Sequence, residues 1–173
     1  MEYLENRTFD EISIGQSASV ERTLSSRDIE LFAVMSGDVN PAHLDEEFAR
    51  GGIFHKVIAH GMWGGALISS LLGTVLPGPG TIYLDQTLKF HRPVGVGDTL
   101  LVSISAAARD AERKYIVFDC RCTNQHGKTV IDGTATVLAP TEKVRRPRPE
   151  LPEILFVGPN QMLADTDVVE AAA

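Results

Sequence analysis

His60-Gly61-Met62-Trp63-Gly64-Gly65-Ala66-Leu67-Ile68-Ser69-Ser70-Leu71-Leu72-Gly73-Thr74-Val75-Leu76 is a helix-length run with no acidic or basic side chain after His60. A helix on a protein surface shows a polar stripe, and one that is apolar nearly all round has to be covered. The run is broken up by Ser69, Ser70 and four glycines and stops before Pro77, so it reads as a helix buried in a soluble domain rather than a membrane span. Something in the rest of the chain must wrap around it.

The residues that follow are suited to that task. Thr81 to Pro93 alternates, with Ile82, Leu84, Gln86, Leu88 and Phe90 on one face and Tyr83, Asp85, Thr87, Lys89 and His91 on the other. Leu100, Val102, Ile104, Ala106 and Ala108 alternate again, and further strands are expected over Tyr115 to Cys122 and Thr129 to Ala139. The short polar turns between them predict an antiparallel meander. Upstream, a strand is expected from Ser17 to Leu24. Ser25-Ser26-Arg27-Asp28 then reads as a helix cap, Ile29, Phe32, Ala33 and Ser36 keep helical spacing, and Gly37 ends the helix. Asp45 caps a short helix from Glu46 to Arg50. The expected fold class is α+β: an antiparallel sheet wrapped around a long central helix, the hotdog arrangement. Its partly apolar strand edges favour pairing with a second copy.

Residues 1–140 make up this domain. Residues 141–173 read as a Pro-rich linker or C-terminal tail: Val144-Arg145-Arg146-Pro147-Arg148-Pro149-Glu150-Leu151-Pro152 is extended and unfit for a sheet centre, and Ile154 to Val157 is a candidate docking strand. The 173 residues are 43% hydrophobic, enough for a sizeable core. A net charge of −7 argues against a general nucleic-acid or membrane-surface binder. Cys120 and Cys122 point to one strand face and read as reduced. With no secretory pattern at the N-terminus, a cytoplasmic protein is expected.

The chemistry is carried just before the central helix. Ser36-Gly37-Asp38-Val39-Asn40-Pro41-Ala42-His43-Leu44-Asp45 sets a carboxylate and an imidazole five residues apart across an Asn-Pro turn. Adding water to an activated double bond needs a base and an acid, which Asp38 and His43 supply. It also needs a fixed donor for the charge that moves onto the carbonyl oxygen. The Gly61 N–H at a helix start fits that need, helped by the helix dipole. The bland readings are that Asp38 caps its turn, that His43 is a loop histidine and that His60 fixes the helix start. Ser69 has a site role or a bond to its own backbone. The spacing of His43, Asp45, His55 and His60 matches no short metal motif, so no metal is expected. Gly64, Gly65 and Gly73 read as packing positions, and Trp63, Leu67 and Met62 as core.

Asp38, Asn40, Pro41 and His43, followed by Ala59-His60-Gly61-Met62, resemble the MaoC-like dehydratases, in particular the (R)-specific 2-enoyl-CoA hydratases. The likeness runs from about Phe9 to Ala139. It includes the Leu76-Pro77-Gly78-Pro79-Gly80 turn and the Tyr83 to Pro93 strand. The resemblance implies that Asp38 and His43 form a catalytic dyad hydrating a trans-2-enoyl-CoA to the (R)-3-hydroxyacyl-CoA. It implies further that the Gly61 amide is the oxyanion site and that Ser69 is a polar neighbour; Asn40 and His60 are read as supporting residues. A homodimer with an acyl tunnel and no metal or redox cofactor is implied, with enoyl-CoA as the partner; a dimer of dimers is the alternative assembly. Lys89, Arg92, Arg113, Lys114 and Lys128 are candidates to meet the phosphates of such a carrier. The tail resembles the linker of proteins in which a hydratase domain precedes a phosphate acyltransferase.

Two other functions compete. A hotdog thioesterase would use a carboxylate on the central helix, and none stands between His60 and Leu76. A non-catalytic acyl-CoA-binding module would leave the ligand unchanged.

Overall fold

The computed structural model describes residues 2–155. In chain order its elements are β1 (Tyr3–Glu5), a 3-10 turn (Phe9–Glu11), β2 (Ser17–Thr23), α1 (Ser26–Ser36), α2 (Pro41–Leu44) and α3 (Glu46–Gly51). There follow α4 (Gly61–Thr74), β3 (Ile82–Gln86), β4 (Lys89–Phe90), β5 (Thr99–Asp110), β6 (Tyr115–Asn124), β7 (Thr129–Leu138) and β8 (Arg145–Pro147). The main sheet runs β2-β5-β6-β7-β3, antiparallel throughout, with β4 also on β7.

The local reasons are those in the sequence. The Ser25 side chain accepts from the Asp28 N–H while Asp28 returns a bond to the Ser25 N–H, and Gly37 ends α1 at φ 74°, in the left-handed region. Along β6, Ile116, Phe118, Cys120 and Cys122 alternate inward. The two thiols are free, and burial pushes Cys120 up to about 11 and Cys122 up to about 12. These inward residues meet Ile68, Leu71 and Leu72 of α4, all essentially sealed from solvent. Each such side chain contributes about 1.5–3 kcal/mol.

Three expectations are corrected in detail. Thr81 to Pro93 is not one strand. It breaks between β3 and β4 where Thr87 crosses Gly133 of β7, and a Cβ at Gly133 would lie 1.9 Å from the Thr87 carbonyl oxygen. The alternation of β5 fails after Ala106, because a bulge between Ala106 and Ala108 leaves Ala108 exposed. One flank of α4 is uncovered: Met62 is 53% exposed, and Ala66, Ser69 and Ser70 share its side. Gly64 does allow close packing, on Ile131, and Gly65 on Leu88, whereas Gly73 faces open space.

The chain after Pro140 is extended, and Arg145–Pro147 pairs with β1. Asn6, fully buried, ties this segment down: its amide donates to the Pro79 and Glu142 carbonyls, and its oxygen accepts from the Val144 N–H. Ile154 and Leu155 lie in no strand, and the rest of the expected docking strand falls outside the described residues.

Lys143 adds an ion pair to Glu11 at 2.8 Å. Its hydrogen bond, with that of the Thr8 N–H, lowers the Glu11 carboxyl to about 2. A depressed carboxylate stabilises above its unfolded value and loses that contribution as pH falls through its folded one. Glu11→Gln is therefore expected to melt below the parent at pH 7, with the gap closing between about pH 4.5 and pH 2. An equal gap at pH 7 and pH 2.5, read by thermal melting, contradicts this.

Candidate active site

Gly37 turns the chain out of α1, so Asp38 leads into α2. The Asp38 carboxylate accepts from the Asn40 N–H at 3.1 Å, and Asn40 in turn caps α2 by accepting from the Ala42 N–H at 3.0 Å. Asp38 thus makes the turn bond of the bland reading while its side chain remains exposed. Pro41 sits at the first helical position, where its missing N–H costs nothing. His43 stands in the last turn of α2, and its Nδ1 lies 2.8 Å from the Ile58 carbonyl. A carbonyl only accepts, so the hydrogen is assigned to Nδ1, leaving the Nε2 lone pair outward.

His60 is 3% exposed and immediately precedes α4. Its Nε2 donates to the Asp38 carbonyl at 3.0 Å, and its ring centroid lies 4.0 Å from that of His43. One donor atom from each of Asp38, His43 and His60 falls within 4.8 Å of the others. Two groups at that separation are within reach of one bridging water. The next residue, Gly61, opens α4 with an N–H that has no intrahelical acceptor. A Cβ at Gly61 would lie 3.2 Å from the Phe90 ring. Absence of that atom leaves room for a ligand to approach the amide.

His43, His60 and Gly61 border a cavity of about 290 Å³ walled mainly by apolar side chains: Phe54, Ile58, Trp63, Phe90, Val94, Val130 and Ile131, with His91 and Arg92 as polar members; Asp38 stands outside this lining, beside His43 and His60. Of the five basic candidates, Arg92 is in this lining, with its Nη1 donating to the Thr129 carbonyl. Arg113 pairs with Asp110 and Lys114 lies over the Phe9 ring. Ser69 is not in the cluster. It is eight residues along α4 from Gly61, roughly 12 Å, in a separate groove with Phe32, Met35, Met62, Tyr83 and Leu88. Met62, expected in the core, lines that open groove, while Trp63 is buried and Leu67 half-buried. Phe54, Phe90 and Ile58 were not singled out from the sequence.

As metal ligands, His43, Asp45, His55 and His60 do not converge as a set: Asp45 caps α3 and His55 bonds to the Arg50 carbonyl. The convergent donors are Asp38, His43 and His60. A zinc ion at about 2.0–2.2 Å from each would need them drawn closer together.

The architecture and the cluster at the start of its central helix define a hotdog-fold protein with a carboxylate and two imidazoles around an uncapped helix N-terminus. The chain belongs to the MaoC-like dehydratase family, whose "MaoC like domain" profile matches residues 10–128. It is 48% identical over 132 residues to an (R)-specific enoyl-CoA hydratase of Rhodospirillum rubrum, covering 76% of this chain and 91% of that one. A 3-hydroxybutyryl-CoA dehydratase of Methylorubrum extorquens is 39% identical over 139 residues, 80% and 88% of the two chains. Among solved structures, the R-hydratase PhaJ1 of Pseudomonas aeruginosa, unliganded, superposes with a TM-score of 0.86 at 44% identity, covering 90% of this chain and all of that one. No helix among the described residues is long and apolar enough to cross a membrane.

Proposed function

We propose that this chain reversibly hydrates a trans-2-enoyl-CoA to the (R)-3-hydroxyacyl-CoA. The observation that carries the reading is the meeting of Asp38 and His43 with His60, whose neighbour Gly61 lines the same apolar cavity as His43. The names of the relatives supply the substrate class and the stereochemistry.

One water sits between Asp38 and His43. The His43 Nε2 accepts a proton as the water oxygen bonds to C3. The electrons of the C2=C3 bond shift toward C1, placing negative charge on the thioester oxygen, where the Gly61 N–H receives it. Such a donor is worth about 3–4 kcal/mol of barrier. The proton held by the dyad then passes to C2, so that water is added to one face and the dyad returns to its starting state. Asn40 supports the turn, and Arg92, in the cavity lining, meets anionic parts of the carrier.

The reading includes a second copy of the chain. β3 is an edge strand whose Ile82, Tyr83 and Leu84 are 54%, 37% and 45% exposed, continuous with the bare flank of α4. Sedimentation as a monomer at micromolar concentration would remove this part.

Crotonyl-CoA separates the reading from a thioesterase and from a silent binder. The enoyl absorbance is expected to fall with no free thiol released. Thiol release without loss of the chromophore would replace the proposal, and bound but unchanged crotonyl-CoA would end it.

A further inference from the structure

We propose that His60 is a positioning residue that locks both halves of the dyad to the start of α4, chiefly through its hydrogen bond to the Asp38 carbonyl. This rests on the dyad reading above.

Three contacts tie His60 to the site. Its Nε2–H donates to the Asp38 carbonyl across 22 residues of sequence. Its ring lies against that of His43 at 4.0 Å and stacks on Phe32 at 4.8 Å. It is joined by a peptide bond to Gly61, whose N–H is the oxyanion donor of the proposed reaction. A shift of His60 therefore moves all three groups relative to each other.

The ring is poorly placed to act directly. Nε2 is occupied by the Asp38 carbonyl, and Nδ1 is sealed from solvent with no hydrogen-bond partner. Leaving a polar atom buried and unpaired costs stability, and a phenylalanine here would keep the ring contacts without that cost. What the imidazole adds is the single donor aimed at Asp38. The ring also stands at the N-cap position without capping the helix. Ser, Asp or Asn there would accept from the N–H of Met62 or Trp63, next to the Gly61 amide. The side chain thus fixes the Asp38 loop and keeps the helix start open.

The test is a double-mutant cycle on crotonyl-CoA hydration. His60→Phe keeps a ring and loses the donor. His60→Gln keeps a donor of similar reach, without the self-capping that Asn would bring. His60→Phe is expected to lower kcat at least about tenfold with KM within about threefold, and His60→Gln to stay within about threefold of the parent. In the Asp38→Asn background the loss from His60→Phe is expected to shrink below about twofold, because the group it positions is already disabled. If His60→Phe gives no cooperative melt, His60→Met, also without a donor, takes its place. A donorless variant with kcat within twofold of the parent overturns the proposal. So does one that loses the same factor in both backgrounds, which marks a merely structural residue. Normal turnover in Asp38→Asn alone would instead remove the dyad reading, so the two failures are distinguishable.

Discussion

Asp38→Asn and His43→Gln are each expected to lower kcat for crotonyl-CoA hydration by at least about a hundredfold, with the fold intact. A positioned acid or base contributes about a hundred- to ten-thousand-fold, and either change removes one. The structure gives reason to expect folded variants. Asp38 is exposed, and the oxygen that accepts from the Asn40 N–H is retained by asparagine. His43 is half-buried, and its side chain is tied to the Ile58 carbonyl by the Nδ1 hydrogen bond. A glutamine amide also donates, so the tie to residue 58 is replaceable while the outward basic nitrogen is not. The pair should behave as a unit, with the double variant about as slow as the slower single one. Stopped assays with and without enzyme, alongside melting curves, read the result. Near-parental turnover in either folded variant removes the mechanism, and a double variant as slow as the product of both losses assigns the two residues to separate steps.

The chain revealed its fold more fully than its site. Capping at Ser25 and Asp28, alternation in β5 to β7 and the apolar run of α4 are local signals, each set by neighbours three or four residues away or by the strand period. The helical turn Pro41–Leu44 is too short to show a period, so the residues carrying His43 read as loop. The exposure of Met62 and Leu84 follows from what one chain leaves uncovered, which hydrophobicity alone does not reveal. At the site, the order of Asp38, His43 and Gly61 was legible. Their separation was not, because it depends on the bond from His60 to the Asp38 carbonyl and on the bond from His43 to the Ile58 carbonyl. Ser69 shows the opposite limit: its place on α4 was read correctly, but helix geometry carries it away from the cluster into another groove.

The break between β3 and β4 is set by a glycine about 45 residues later in the chain, and the second large effect follows from it. Gly133→Ala is expected to destabilise the protein by about 3 kcal/mol or more, at the upper end of overpacking costs. Gly64 makes the comparison. A Cβ there would come within 2.3 Å of Ile131 Cδ1, the mobile end of a side chain, with its next contact at 3.8 Å. Ile131 can turn aside, and alanine improves helix propensity by about 1 kcal/mol, so Gly64→Ala should be close to neutral. At Gly133 the obstacle is backbone: the new Cβ would lie 1.9 Å from the Thr87 oxygen, 2.7 Å from its carbon and 3.2 Å from the Leu88 Cα. Retreat of Thr87 is opposed by its N–H bond to the Thr134 carbonyl at 2.8 Å and by the Thr134 N–H bond to its hydroxyl at 2.9 Å. Movement there also carries β4, whose Phe90 ring faces Gly61 and borders the cavity. Gly133→Ala should therefore lose kcat/KM as well as stability, while Gly64→Ala keeps its stability. Urea unfolding of the two variants is the measurement. A Gly133→Ala midpoint corresponding to less than about 1 kcal/mol of destabilisation would show that the β3–β4 joint yields easily and does not set the cavity wall.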